Sequence, residues 1–145
     1  MIKKLILATL AGSVVQFLLG WLIYGLLLAN FMNSNTTHYE GLMKDMNTGS
    51  FMILIFLSGL VMSFLITYIF QRWAKFDKFF VGLNAGFLIG FLTALSYDLY
   101  FLASMNMFSI SATIVDVIAN TVVVGIVGAV IAWVLGFKTK AVPAQ

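Results

Sequence analysis

Two aspartates, Asp98 and Asp116, stand inside long apolar runs of this 145-residue chain. Carboxyl groups in such a setting can hold a proton, coordinate a cation or face a cationic ligand, and paired carboxylates also serve acid–base chemistry. The two lie at matching depths. Asp98 is roughly five residues, or about 7 to 8 Å, inside the end of its run, and Asp116 is about six residues, or about 9 Å, inside the facing end of the next. At mid-bilayer each would cost roughly 2.5 to 3.5 kcal/mol on the insertion scale, and less nearer the interface. No Lys or Arg lies within the runs to offset that cost. A shared proton, a bound cation, or a charge supplied by a ligand or partner chain would each resolve it.

Other polar residues belong to the same neighbourhood. Asn120 is one helical turn from Asp116, with Thr113 nearly one turn the other way, and Tyr97 and Tyr100 flank Asp98. Gln16 is close to the middle of the first run and Asn84 lies in the third. Together they could line a hydrated path, or each could make an interhelical hydrogen bond worth roughly 0.6 kcal/mol. The ligand or ion-binding candidates are therefore Asp98, Asp116, Asn120, Tyr97 and Gln16. Enzymatic chemistry finds little support. The chain has no cysteine and one histidine, His38, in a polar loop, so neither thiolate nor clustered-imidazole ligation is open to it. It also lacks a nucleophile paired with a base, an HExxH spacing and a glycine loop at a helix start. The expectation is a non-enzymatic protein with no cofactor and no metal.

The elements that carry these residues follow from composition. The chain is 62% hydrophobic and 9% charged, against roughly 25% charged in soluble domains. That deficit excludes a soluble enzyme and a disordered tail alike. Four apolar runs, at about residues 5–31, 51–70, 79–105 and 110–137, are long enough to cross a hydrocarbon core of roughly 30 Å. The expected fold is all-α, an integral membrane four-helix bundle in a single domain. Lys3 and Lys4 resemble the start of a signal peptide, but the run that follows continues through Trp21 and Tyr24, beyond the roughly 7 to 15 residues of a signal core.

Charge sets the direction. Lys3, Lys4, Arg72, Lys75, Lys78, Lys138 and Lys140 fall at one set of helix ends and only Lys44 at the other. By the positive-inside rule both termini are cytoplasmic, giving two antiparallel hairpins with a cytoplasmic loop at 71–78 and an outer loop at 32–50. Trp73 and Trp133 then fall at the inner interface, and Trp21 and Tyr24 at the outer one. The formal charge of +3 does not signal nucleic acid, because the cations form no patch interleaved with aromatic residues.

Small residues mark the packing faces. Gly82, Gly86, Gly90 and Ala94 recur every four residues, the small-xxx-small pattern that lets membrane helices approach closely. Looser versions are Ala8, Gly12, Gln16 and Gly20 in the first run, Gly59, Ser63 and Thr67 in the second, and Gly125, Gly128 and Ala132 in the fourth. One of these faces could serve a homo-oligomer or a membrane-protein partner. In the outer loop, Tyr39, Leu42, Met43 and Met46 share a helical spacing that suggests a short helix on the membrane surface, and Asn35-Thr36-Thr37 matches a glycosylation sequon. The turn between the third and fourth runs, 106–109, is short enough to make those runs neighbours. Phe17 to Leu22 weakly echoes Phe87 to Leu92, the trace a duplicated hairpin would leave.

With Gly20-Trp21-Leu22-Ile23-Tyr24 late in the first run, and Ile114-Val115-Asp116 followed by Gly125 to Gly128 in the last, the chain resembles the four-span bacterial membrane family catalogued as domain of unknown function family 1761. That family has Trp directly before the Tyr, where this chain has Ile23, and an aromatic residue shortly after the acid, where this chain has Ile118 to Asn120. The resemblance implies four spans, a bacterial inner membrane and a place for Asp116. It implies no activity. From the residues themselves the expected role is a structural or accessory membrane component acting through helix association. The alternative is a small channel, transporter or binder of a proton, cation or cationic amphiphile using Asp98 and Asp116.

Overall fold

The last long helix is the one every other long helix packs against. In the computed structural model, which describes residues 2–41, 44 and 48–137, the described elements are all helical apart from one isolated bridge. They are α1 (Ile2–Gly20), continued by a π-helical stretch (Trp21–Leu27); a short α2 (Ala29–Ser34); α3 (Gly49–Ile69), continued by a π-helical turn (Phe70–Ala74); α4 (Phe79–Ser104); and α5 (Ile110–Gly136). Four continuous helices, Ile2–Leu27, Gly49–Ala74, Phe79–Ser104 and Ile110–Gly136, are long and apolar enough to cross a membrane. At 1.5 Å per residue each extends about 39 Å, which exceeds a hydrocarbon core of roughly 30 Å. Helices suit that medium because each satisfies its own backbone polar groups, which lipid cannot do.

The bounds differ from the apolar runs where the helical winding changes. The first run was expected to reach residue 31, but the Leu28 N–H bonds back to the Ile23 carbonyl at 2.7 Å and the winding tightens again into α2. The second run was expected to end at residue 70. A π-helical turn carries it through Ala74, and Lys75 stops it in the left-handed region at φ 52°.

α5 is buried on several sides because its residues are small or β-branched: Ala112, Val117, Val123, Val124, Gly125, Val127, Gly128, Ala129, Ile131 and Ala132 all lie in the interior. Against it lies the glycine face of α4. A Cβ on Gly82 would collide with the Gly128 carbonyl, one on Gly86 with the Val124 carbonyl, and one on Gly90 would sit 2.8 Å from the Val124 Cβ. Gly125 in turn accommodates the ring of Phe87, and Gly128 receives the Gly82 carbonyl. Of the six packing positions expected, Gly82, Gly86, Gly90, Gly125 and Gly128 have close neighbours within this one chain, and Ala94 is buried. α1 lies between α5 and α3, with Gly12 against Ile131 and Ser63. Backbones can come this close only where side chains are absent, and in lipid such van der Waals contact is the main source of association.

The helix ends are tied in two places. At one end the Lys4 ammonium donates to the Leu135 carbonyl at 3.1 Å, satisfying one of the free carbonyls of the last turn of α5. At the other, Thr36 forms an isolated antiparallel bridge with Phe108, the Thr37 N–H donates to Met107 at 2.7 Å, and the Ser109 N–H donates to Asn35 at 3.0 Å. Tyr39 adds its hydroxyl to the Asn106 carbonyl at 3.2 Å. The segment after α2 therefore lies across the α4–α5 turn. Tyr39 is described, while Leu42, Met43 and Met46, the rest of the expected surface helix, lie outside the described residues, as do Lys138 and Lys140.

Candidate functional site: a carboxylate pair closed by a tyrosine

The glycine face of α4 ends one turn before Asp98, and the face of α5 that meets it carries Asp116. Both side chains are half-buried, and their carboxyl groups are close neighbours. Asp98 Oδ2 is buried and has no hydrogen-bond donor. The hydroxyl of Tyr24, carried by the π-helical stretch of the first span, lies beside the Asp116 carboxylate. Two carboxylates offer each other only acceptors, so their contact is satisfied when a proton or a cation lies between them. Among the described residues there are no clusters of three His, Cys, Asp or Glu side chains of the kind that could hold a metal ion.

Tyr24 was missed by reading the sequence for membrane interfaces, which pairs it with Trp21 as a belt residue. The structure separates the two. Trp21 is 55% exposed, as a belt residue is, while Tyr24 turns inward and is half-buried. The π-helical stretch accounts for the difference, because bonding five residues back instead of four rotates each following side chain relative to an α-helical wheel. Depth was the available signal. Tyr24 lies three residues from the end of its span at Leu27, and Asp98 and Asp116 each lie six residues from Ser104 and Ile110. All three therefore occupy a band of about 5 to 9 Å from their helix ends.

The other candidates are distributed differently. Tyr97 is 68% exposed and Tyr100 is also exposed, so neither belongs to the cluster. The reason is angular: neighbours in sequence point about 100° apart on a helix, and only residues three or four apart share a face. Asn120 is half-buried one turn from Asp116, with its backbone carbonyl against Gly90. Gln16 joins α1 to α3. Its Oε1 accepts from the fully buried Ser63 hydroxyl at 3.3 Å, and its side chain covers Gly59. Asn84 is exposed. The line from the acids through Asn120 and Gln16 to Asn84 is therefore broken at Asn84, and Gln16 is eight residues, about 12 Å along the axis, from Tyr24.

Comparison with protein-family models, with curated proteins and with solved structures gives no match. What the cluster can do therefore has to be read from its own chemistry. Tyr24 and Asp116, far apart in sequence, come together at this one place. The sequon residue Asn35, close to the α4–α5 turn, has both ends of its amide engaged. Its Nδ2 donates to the Phe31 carbonyl at 3.0 Å and its Oδ1 accepts from the Ser109 hydroxyl at 3.2 Å.

Proposed function

We propose that this chain is a multi-pass membrane protein that binds a proton, a small cation or the cationic head of an amphiphile between Asp98 and Asp116, with Tyr24 holding Asp116 in place. The observation that carries the reading is the buried, donorless Asp98 Oδ2 beside a second carboxylate, in spans that contain no lysine or arginine beyond the helix ends. A protein confined to structural duty gains nothing from such a pair, whereas an intramembrane acid is the usual mark of an ion or ligand site.

The topology in this proposal is two antiparallel hairpins with both termini cytoplasmic. Its support is that Lys4 meets Leu135 at one end while Asn35 to Thr37 meets Met107 to Ser109 at the other, and that Lys3, Arg72, Lys75 and Lys78 gather with Lys4. The carboxylates then lie in the outer half of the bilayer. Placement in a bacterial inner membrane, and in the four-span family that the Tyr24 and Asp116 segments resemble, belongs to the same proposal.

The test is infrared spectroscopy of the full chain in lipid nanodiscs. A protonated-carboxyl stretch that disappears on adding sodium, potassium or an alkylammonium ion, and that is missing from the Asp98→Asn, Asp116→Asn double variant, is the expected result. If parent and double variant give the same spectra and the same cation binding, the carboxylate reading fails.

Association with itself or with a membrane partner is the second reading. The small faces of α4 and α5 are filled internally, so its specific support is Gly20, which has nothing within 4 Å of the position a Cβ would take. Cross-linking in native membranes that fails at every position around Gly20 would remove that support.

A further inference from the structure

The end of the bundle away from the carboxylates holds a cavity of about 350 Å³ between α1 and the end of α3, lined by Ile2, Leu5, Tyr68, Gln71, Arg72 and Lys75. Ligand pockets start at roughly this size. Its chemistry is divided. Ile2, Leu5 and the Tyr68 ring are apolar, and Arg72 and Lys75 are two exposed cations that no carboxylate among the described residues neutralises by a salt bridge.

The backbone places those cations deliberately. Phe70 is fully buried, its carbonyl accepts from the N–H groups of both Lys75 and Phe76, and its ring meets that of Phe76 edge-on at 5.2 Å. That anchorage holds the π-helical turn Phe70–Ala74 and drives Lys75 to φ 52° and ψ 40°. A non-glycine residue rarely adopts that conformation and persists in it because its surroundings determine it, a condition common at binding sites. The result is that Arg72 and Lys75 border the same cavity as the first turn of α1.

We propose that this cavity binds the headgroup of an anionic phospholipid. The phosphate accepts from the Arg72 guanidinium and the Lys75 ammonium, a planar fork and a point charge that suit phosphate oxygens. The upper acyl carbons lie on Ile2 and Leu5. One turn further into the membrane on the same faces are Ile6 and Leu65, both about half exposed, which continue an apolar track for the chains. A free phosphate would use the cations and leave the apolar half of the lining unused. The cavity is at the helix ends, where headgroups lie.

The experiment is native mass spectrometry of the full chain released from nanodiscs of mixed phosphatidylcholine and phosphatidylglycerol. The parent retains phosphatidylglycerol in preference. Arg72→Gln and Lys75→Gln each reduce that preference about fivefold, and the pair roughly thirty-fold, the scale expected for two interfacial cations. Leu5→Trp, which fills the cavity and leaves the charge alone, also reduces retention. Lys44→Gln and Asp98→Asn leave it unchanged, which separates this site from the carboxylate pair. The proposal is overturned if the double variant keeps the parent's preference, if Lys44→Gln lowers it as much, or if millimolar inorganic phosphate displaces the lipid.

Discussion

The hydroxyl of Tyr24 reaches the carboxylate of Asp116 across 92 positions of sequence, from a helix whose winding has shifted to five-residue hydrogen bonds. The same π-helical stretch that leaves Trp21 on the outer surface turns Tyr24 into the bundle. Winding of this kind is a frequent companion of functional sites, and here it gives the carboxylate pair its third member.

Replacing Tyr24 by Phe removes the hydroxyl beside Asp116 and little volume. The expected loss of stability is about 1 kcal/mol, within the range measured for single polar contacts between membrane helices. The outcome that would sink the role assigned to Tyr24 is unchanged cation affinity in the variant, measured by calorimetry in detergent next to an unfolding titration.

Asp98→Asn replaces one of two adjacent carboxylates with an amide whose N–H groups can donate to Asp116. Folding should be kept or strengthened while proton or cation binding is lost, the inverse relation between stability and activity common at strained polar sites. A variant that binds like the parent and unfolds earlier would reverse both expectations.

The α4–α5 seam predicts a contrast between two glycines. Gly86→Ala places a methyl on the Val124 carbonyl and should destabilise the bundle by about 1 to 3 kcal/mol, as overpacking does. Gly20→Ala meets open space and should change stability by no more than about 0.5 kcal/mol. Steric-trapping measurements in bicelles can resolve the two, and equal effects would contradict the packing described.

The Ser109 hydroxyl has two partners, the Ala112 N–H at the start of α5 and the Asn35 amide oxygen. Ser109→Ala should cost about 1 kcal/mol through the lost helix cap. Hydrogen exchange should rise at Ala112 and across 35–37 together. Faster exchange at Ala112 alone would mean that the segment after α2 is held without this serine.

Hydropathy made the four spans and the two acids within them legible, since an apolar run has few other destinations and a charge inside it is conspicuous. The repeat at Gly82, Gly86, Gly90 and Ala94 is buried, its three glycines lie close against α5, and the short turn after α4 makes α5 its neighbour. Rotation was the information missing. Tyr97 adjoins Asp98 in sequence but lies 100° around the helix, Tyr24 is turned inward by a change of winding, and Gln16 points to Ser63 on α3. Residue types alone do not encode such angles, which are set by the packing of whole helices.

The burial of α5 on several sides has a consequence for how the chain comes together. Synthesis delivers the N-terminal helices first, and α1 and α3 share an interface on which they can pair at once. The glycine face of α4 has its counterpart only in α5, so a nascent chain that has inserted three helices presents Gly82, Gly86 and Gly90 to lipid. The keystone of this arch is laid last.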